Sequence, residues 1–292
     1  MKSKLFKCEG YETKKFKSKE IIFYHTPKCA GTTFANIISK LITNSLRISG
    51  PLTPLSGFKQ NKDVHKTSSE FYDENKTTIK KTQPQFIFGH IPFEIGKKFK
   101  NRKSIAVLRD PLSRAISHFN FKLERNKNLH NKDLEFFFEK KIIPDNIMVR
   151  QFCGNVQKKN ITNLDLEKAF YNISIKIDYL FNSDQVLDLV NLIISKLDLP
   201  NIIFQNMQVT QKNFFINNLK NRKLIKLYNK FDFILYKRLL TKKSFFNVEK
   251  NVLKRSKDNF FYYSTDHSIR GQNICFIKKN EVLKILRKIN SG

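Results

Sequence analysis

A short run of β-branched and aromatic residues, Ile21–Tyr24, breaks at once into the turn-forming stretch His25-Thr-Pro-Lys-Cys-Ala-Gly-Thr-Thr33. A helical repeat follows directly, with Phe34, Ile37, Ile38, Leu41 and Ile42 on one face. Strand, tight loop and helix in immediate succession form the opening half of a crossover between parallel strands. The same alternation continues. Phe86–Phe88 reads as a strand ended by Gly89, and Ser104–Leu108 as another. Pro111 then sits where the first turn of a helix accepts proline, ahead of the stripe Leu112, Ala115, Ile116, Phe119 and Leu123. Helices are expected at Leu134–Lys140, around Asp165–Phe170, at Asp184–Leu197 and at Arg222–Leu240, with a strand near Tyr179–Phe181. Strands alternating with helices predict an α/β fold, a parallel sheet flanked by helices.

The remainder is less periodic. Residues 1–19 carry seven lysines and read as a mobile basic arm. Residues 47–83 are rich in Ser, Thr, Pro, Asn and Lys, and are expected to form a long surface loop, with or without a short helix. Beyond 240, Ile274–Ile277 reads as a strand and Glu281–Ile289 as a terminal helix.

Composition narrows the function classes. The 292 residues carry 55 Lys+Arg against 25 Asp+Glu, a formal net charge of +30. Such a balance suits polyanionic partners, but the lysines are spread along the whole chain, which a lysine-rich composition alone also produces. Four cysteines without a CxxC pair exclude a zinc ribbon, and the six histidines show no HxxxH or HExxH metal pattern. No apolar stretch approaches the ~18–20 residues that span a bilayer, and no signal-peptide core follows the first lysines. The expected compartment is the cytoplasm, with peripheral membrane contact left open.

Three segments carry chemistry. The loop 25–33 offers a glycine, consecutive N–H groups, a helix N-terminus, the Lys28 ammonium, and Thr32 and Thr33, either of which could cap the helix. Together these make a phosphate cradle. It is not a Walker A loop, because its lysine precedes the glycine. In Ile105-Ala-Val-Leu-Arg-Asp-Pro-Leu-Ser-Arg-Ala-Ile-Ser117, Arg109 ends a strand at the carboxyl edge of the sheet, and Ser117 lies in the next helix on the flank of its stripe. A guanidinium with a hydroxyl suits a phosphate monoester. Arg114 either reaches the same phosphate or is an exposed helix residue. In Phe86-Ile-Phe-Gly-His90, the histidine follows a strand end and can act as a general base. Glu94 is an alternative base. The other histidines, His25 and His118 among them, read as structural.

In order and spacing these segments resemble the sulfotransferases that use 3′-phosphoadenylyl sulfate (PAPS), particularly the heparan 2-O-sulfotransferase-like branch acting on carbohydrates. Pro27-Lys-Cys-Ala-Gly-Thr-Thr33 is similar to the family's 5′-phosphosulfate loop, and Leu108–Ser117 to its 3′-phosphate motif. Phe88-Gly-His90 resembles the segment that supplies the catalytic histidine. Weaker similarity runs through Arg150-Gln-Phe-Cys-Gly154 and Asn229–Tyr236. The resemblance covers roughly residues 20–240.

It implies a P-loop-NTPase-like sheet, the sulfotransferase fold, over 20–240, with the basic arm 1–19 before it and an extension 241–292 of open role after it. It implies PAPS as sulfuryl donor and no metal. Lys28 would sit at the bridging oxygen and 5′-phosphate, held also by the backbone of Cys29, Ala30, Gly31, Thr32 and Thr33 and by the two threonine hydroxyls. Arg109 and Ser117 would hold the 3′-phosphate, and His90 would take the acceptor's proton. Thr210-Gln-Lys212 would touch cofactor or acceptor. The acceptor would be a saccharide hydroxyl, in keeping with the positive charge an acidic one. Two other readings are a nucleotide-dependent phosphotransferase on the same cradle, and a non-catalytic binder of polyanions. No Walker lysine supports the first. No nucleic-acid-binding motif supports the second, so no specific nucleic-acid partner is expected.

Overall fold

The computed structural model describes residues 20–42, 44–48, 67–156, 158–196, 201–203, 214–215, 217–242, 260–264 and 274–278. The chain divides into two units, residues 19–186 with 210–247, and residues 1–18 with 187–209 and 248–292.

The first unit is built on five strands: β1 (Ile21–His25), β2 (Ser45–Ile48), β3 (Phe86–Gly89), β4 (Lys103–Leu108) and β5 (Tyr179–Asn182). Their order is β2-β3-β1-β4-β5 and every neighbouring pair is parallel. The loops leaving β1, β3 and β4 therefore open on one carboxyl edge, where open sheets of this kind bind ligands. The central strands β1, β3 and β4 are buried on both faces, as a helix-covered parallel sheet requires. Ile22 and Tyr24 of β1 join Ile87, Ala106, Leu108 and Leu180 in one apolar layer. Between them, Phe23 points the other way, edge-on to Phe34 with ring centroids 4.6 Å apart. Phe34 belongs to α1 (Gly31–Leu41) and also meets Phe86.

The apolar layer is closed by α6 (Ile147–Cys153), α7 (Asn163–Lys176) and α10 (Lys230–Thr241), through Met148, Phe152, Phe170 and Leu235. A second cluster joins Ala115, Phe119 and Leu123 of α4 (Pro111–Arg125) to Phe137 and Phe138 of α5 (Leu134–Glu139) and Ile225 of α9 (Leu219–Tyr228). Pro111 does open α4, and Asp110 caps it, its carboxylate accepting from the Ser113 N–H at 2.8 Å.

Four expectations are corrected or refined. Residues 47–83 are not all loop: Ser45–Ile48 is β2, and α2 (Ser68–Thr82) runs fifteen residues. Its start is a capping box, in which Thr67 accepts from the Glu70 N–H and the Glu70 carboxylate accepts from the Thr67 N–H at 2.7 Å. Its burial is thin, with Tyr72 and Ile79 as the buried hydrophobic contacts. The helix expected over 222–240 is two, α9 and α10, broken at the fully buried Asn229. There the side chain departs from helical work: its oxygen accepts from Arg114 Nη2 at 3.0 Å and from the Asn146 N–H at 3.2 Å. The helix around 165–170 extends over the whole of α7, while the one expected from Asp184 starts with a 3-10 turn, Ser183–Gln185, before α8 (Val186–Lys196). The remaining element before β4, α3 (Phe93–Gly96), is a single turn.

The second unit contains α8 and a three-stranded sheet. In it β6 (Asn201–Ile203) pairs in parallel with β7 (Phe260–Ser264), which pairs antiparallel with β8 (Ile274–Lys278). The strand expected at 274–277 is thus present. The basic arm, Thr210–Lys212 and the helix expected at 281–289 lie outside the described residues. Among the described residues, no helix is long and apolar enough to cross a membrane.

Candidate active site

After β1 the backbone doubles back twice. Lys28 (φ 67°) and Ala30 (φ 60°) both take left-handed conformations that cost side-chain-bearing residues of order 1–3 kcal/mol each. Between them the Cys29 N–H closes a turn onto the Thr26 carbonyl at 3.2 Å. This turn starts the helix early. Ala30 is the N-cap and no side chain caps the helix, so Thr32 and Thr33 lie inside the first turn and are not its caps. The N–H groups of Ala30, Gly31, Thr32 and Thr33 consequently have no acceptor within the helix, which is the arrangement an anion completes. Cys29 differs from its neighbours: its N–H is committed to the turn, and its thiol is buried and pushed up to about 12, chiefly by that burial.

Gly31 is required by packing. A Cβ there would lie 2.5 Å from His25 Cδ2 and 2.9 Å from the Phe23 ring. His25 stacks on Phe23 and its ring lies 4.8 Å from that of His90. Burial, helped by the charges of His90, Arg47 and Lys28, holds the His25 imidazole neutral, far below its ordinary value. As the sequence reading expects, His25 is structural: its ring packs between Phe23, the cradle's first helical turn at Gly31 and His90.

His90 follows β3 because Gly89 turns the chain there. Gly89 has φ 146°, and a Cβ on it would meet the Ile48 carbonyl oxygen at 2.2 Å, so only glycine fits. His90 is half-buried. Glu94, the alternative base, is engaged elsewhere. It pairs with Lys97 and, at 3.3 Å, with Lys168. Burial pushes its carboxyl up, but the hydrogen bonds from the two lysines prevail and hold it below the usual carboxylate range, which makes it a poor base.

From the far side of β1, Arg109 Nη1 donates to the Lys28 carbonyl oxygen at 3.3 Å, which brings the second motif onto the loop of the first. Lys28 Nζ rests 4.1 Å over the Phe121 ring, which the Arg125 guanidinium also approaches, at 4.2 Å. Burial, then the charges of Arg109 and Arg125, lower the Lys28 ammonium to about 8. Ser117 lies one helical turn before Phe121 on α4, hence on the face turned to Lys28. Arg114 is fully buried, not exposed. Its Nη2 binds Asn229, while Nε and Nη1 have no hydrogen-bond partner among the described residues. His118 is also buried and held neutral, first by desolvation and then by the charges of Arg114, Lys122 and Lys28.

The structure therefore gathers Lys28, Ala30–Thr33, His90, Arg109 and Ser117 on the three loops and one helix at the carboxyl edge. Two buried partners were not singled out from sequence. Thr26 Oγ1 donates to Gln151 Oε1 at 2.7 Å, and Gln151 Nε2 donates to the Ile91 carbonyl at 3.0 Å. Gln151 sits within the weakly similar segment 150–154, the one sequence signal that pointed its way. No group of His, Cys, Asp and Glu among the described residues is arranged to hold a metal ion.

A model of the sulfotransferase family matches residues 12–291, beyond both ends of the stretch 20–240 that carries the resemblance. Among solved structures, mouse sulfotransferase SULT7A1 complexed with PAP matches at 14% identity and a TM-score of 0.36, over 81% of this chain and 74% of that one. No curated protein matches significantly.

Proposed function

The chain belongs to the sulfotransferase family, and on that premise we propose that it transfers a sulfuryl group from PAPS to an acceptor hydroxyl on a saccharide. The cradle's chemistry fits the donor. A loop with two left-handed residues and an uncapped helix N-terminus suits a 5′-phosphate, and Gly31 lets its first helical turn pack against His25 and Phe23. Bound PAPS supplies the sulfuryl group and leaves as adenosine 3′,5′-bisphosphate (PAP). Lys28 and the N–H groups of Ala30–Thr33 hold the 5′-phosphate, and the Lys28 ammonium neutralises the charge that grows there. Arg109 and Ser117 hold the 3′-phosphate. His90 accepts the proton of the attacking hydroxyl on a ring nitrogen. The neutral His25 beside it adds no competing charge. No residue of this scheme is a metal ligand.

The contact of Arg109 with the Lys28 carbonyl carries the reading furthest, because it puts a guanidinium and an ammonium on one loop as a bisphosphate needs. The cations around it, Lys122 and Arg125 included, favour an acidic saccharide. The test is calorimetric titration with PAP beside AMP, on the wild type and Arg109→Ala. Losing a charge-assisted contact of about 2 kcal/mol should weaken PAP binding about thirtyfold and leave AMP binding little changed. PAP binding indifferent to the 3′-phosphate would remove the donor assignment and turn attention to nucleoside triphosphates.

A further inference from the structure

The phosphate loop and the histidine loop leave different strands, β1 and β3. The Gln151 side chain bridges them by hydrogen bonds. Gln151 is fully buried in the middle of α6. Its Oε1 accepts from the hydroxyl of Thr26, the residue that opens the phosphate loop, at 2.7 Å. Its Nε2 donates to the carbonyl of Ile91, the residue after His90, at 3.0 Å. The orientation of the amide is fixed by chemistry: a carbonyl only accepts, so the nitrogen must face Ile91 and the oxygen is left for Thr26.

The short helix that carries Gln151 is itself pinned, in its first turns and again at Phe152, whose carbonyl accepts from Asn172 Nδ2 at 2.7 Å. Asp232 accepts from the N–H groups of Met148 and Val149 at 3.2 and 2.9 Å. The neighbouring Arg150 is fixed by Asp145 through Nη2 at 2.8 Å and Nε at 2.9 Å. A buried amide on such a mount has little freedom to follow a loop that moves, so the loops take their spacing from it.

We propose that Gln151 is a positioning residue for the transfer, its amide setting the distance between the phosphate cradle and His90. The proposal rests on the sulfuryl-transfer reading of this site. A donor and a base on separate loops gain their advantage from fixed geometry, and a misplacement of about 1 Å costs on the order of a hundredfold in rate. Gln151 touches neither reactant in this role. It should therefore act on the rate of transfer much more than on affinity for the donor.

The test uses the full chain with radiolabelled PAPS in single turnover, enzyme in excess. Water serves as the acceptor that is always present, and PAP affinity is measured in parallel by calorimetry. Gln151→Leu keeps the size of the side chain and removes both hydrogen bonds. It should slow turnover by about thirtyfold or more while the PAP dissociation constant changes less than about threefold. Gln151→Glu is the second variant, and it guards against a leucine variant that does not fold. A protonated carboxyl can still accept from Thr26 and donate to Ile91; an ionised one cannot donate. With the donor bound and Lys28 keeping its proton, the wild-type rate should rise with pH to a plateau as the base loses its own. The Gln151→Glu rate should turn down again at higher pH, giving a bell, because burial favours the protonated carboxyl only up to its raised pKa. Leucine turnover within about threefold of wild type, or turnover and PAP affinity falling in step with a glutamate profile lacking the second limb, would overturn the proposal. A wild type that binds no PAP, or binds it without turnover above free PAPS, would overturn the sulfuryl-transfer reading beneath it, an outcome distinct from the other two.

Discussion

Lys28 is pulled in two directions. Burial against Phe121 and the charges of Arg109 and Arg125 bring its ammonium to about 8, whereas a bound phosphate would restore the proton. The unliganded folded value lies below the ordinary lysine value of about 10.4. Between about 8 and 10.4 the unfolded chain binds more protons, so this group's contribution makes the unliganded protein more stable as pH rises through that window. Donor affinity should move the opposite way. PAP binding should weaken as pH rises above about 8 and should draw a proton from solution there. Calorimetry in two buffers of different ionisation enthalpy reads that uptake directly, and Lys28→Met should abolish it. The neighbouring Ala30 offers a separate test. Its left-handed φ of 60° is one that glycine adopts without a Cβ conflict. Ala30→Gly should raise stability by about 1 kcal/mol in chemical denaturation. Gly31→Ala, whose Cβ has no room beside His25, should destabilise. At this scale the sequence was most readable where chemistry and spacing coincide: Lys28, Gly31, Arg109, Ser117 and His90 all come to the carboxyl edge. Thr26, His25 and Gln151 were not readable as a group, because their partners are distant in sequence and a lone polar residue carries no mark of its burial.

Elements are joined across the first unit by buried polar groups as well as by apolar contact. Asn229 accepts from Arg114 of α4 and from the Asn146 N–H, and Asp232 accepts from two N–H groups that open α6. Burial raises the Asp232 carboxyl to about 6 even with Arg114 nearby. Its folded value thus exceeds the ordinary aspartate value of about 3.9, so its ionisation costs stability as pH rises through about 4 to 6. Removing the side chain altogether is worse, since it strands the Met148 and Val149 donors and leaves the Arg114 charge with less compensation. Asp232→Ala should cost about 3 kcal/mol, read as a lower denaturation midpoint. The same node explains the missed break between α9 and α10. Read locally, Asn229 is an ordinary polar residue within a helical repeat; only its reach to α4 and α6 shows why the helix must stop. For α2 the signal was present but faint. Its start was written in Thr67-Ser-Ser-Glu70, while a mostly polar surface hid its period. Thr67→Ala should cost about 1 kcal/mol, measured by the same denaturation.

For the whole molecule the open quantity is the charge of +30, which the lysine-rich composition explains as readily as function does. Local geometry distinguishes the two. Around the cradle the cations crowd each other: Arg109 and Arg125 depress Lys28, and Lys122 is lowered by burial and by Arg125. Two cations flank a single ring, Lys28 and Arg125 on Phe121. In the donor scheme PAPS meets Lys28, Arg109 and the helix N-terminus, while Arg125, at the far end of α4, has no part. An anionic acceptor would relieve the remainder. Acidic and neutral saccharides of equal length should therefore differ in KM at low salt, by about tenfold for one favourable charge contact of about 1.4 kcal/mol. The difference should shrink toward 1 M salt, where the screening length falls from about 10 Å at 0.1 M to about 3 Å. Arg125→Ala should raise KM for the acidic saccharide alone. Equal KM values for the two saccharides at every salt concentration would assign the charge to composition and leave acceptor choice to the shape of the site.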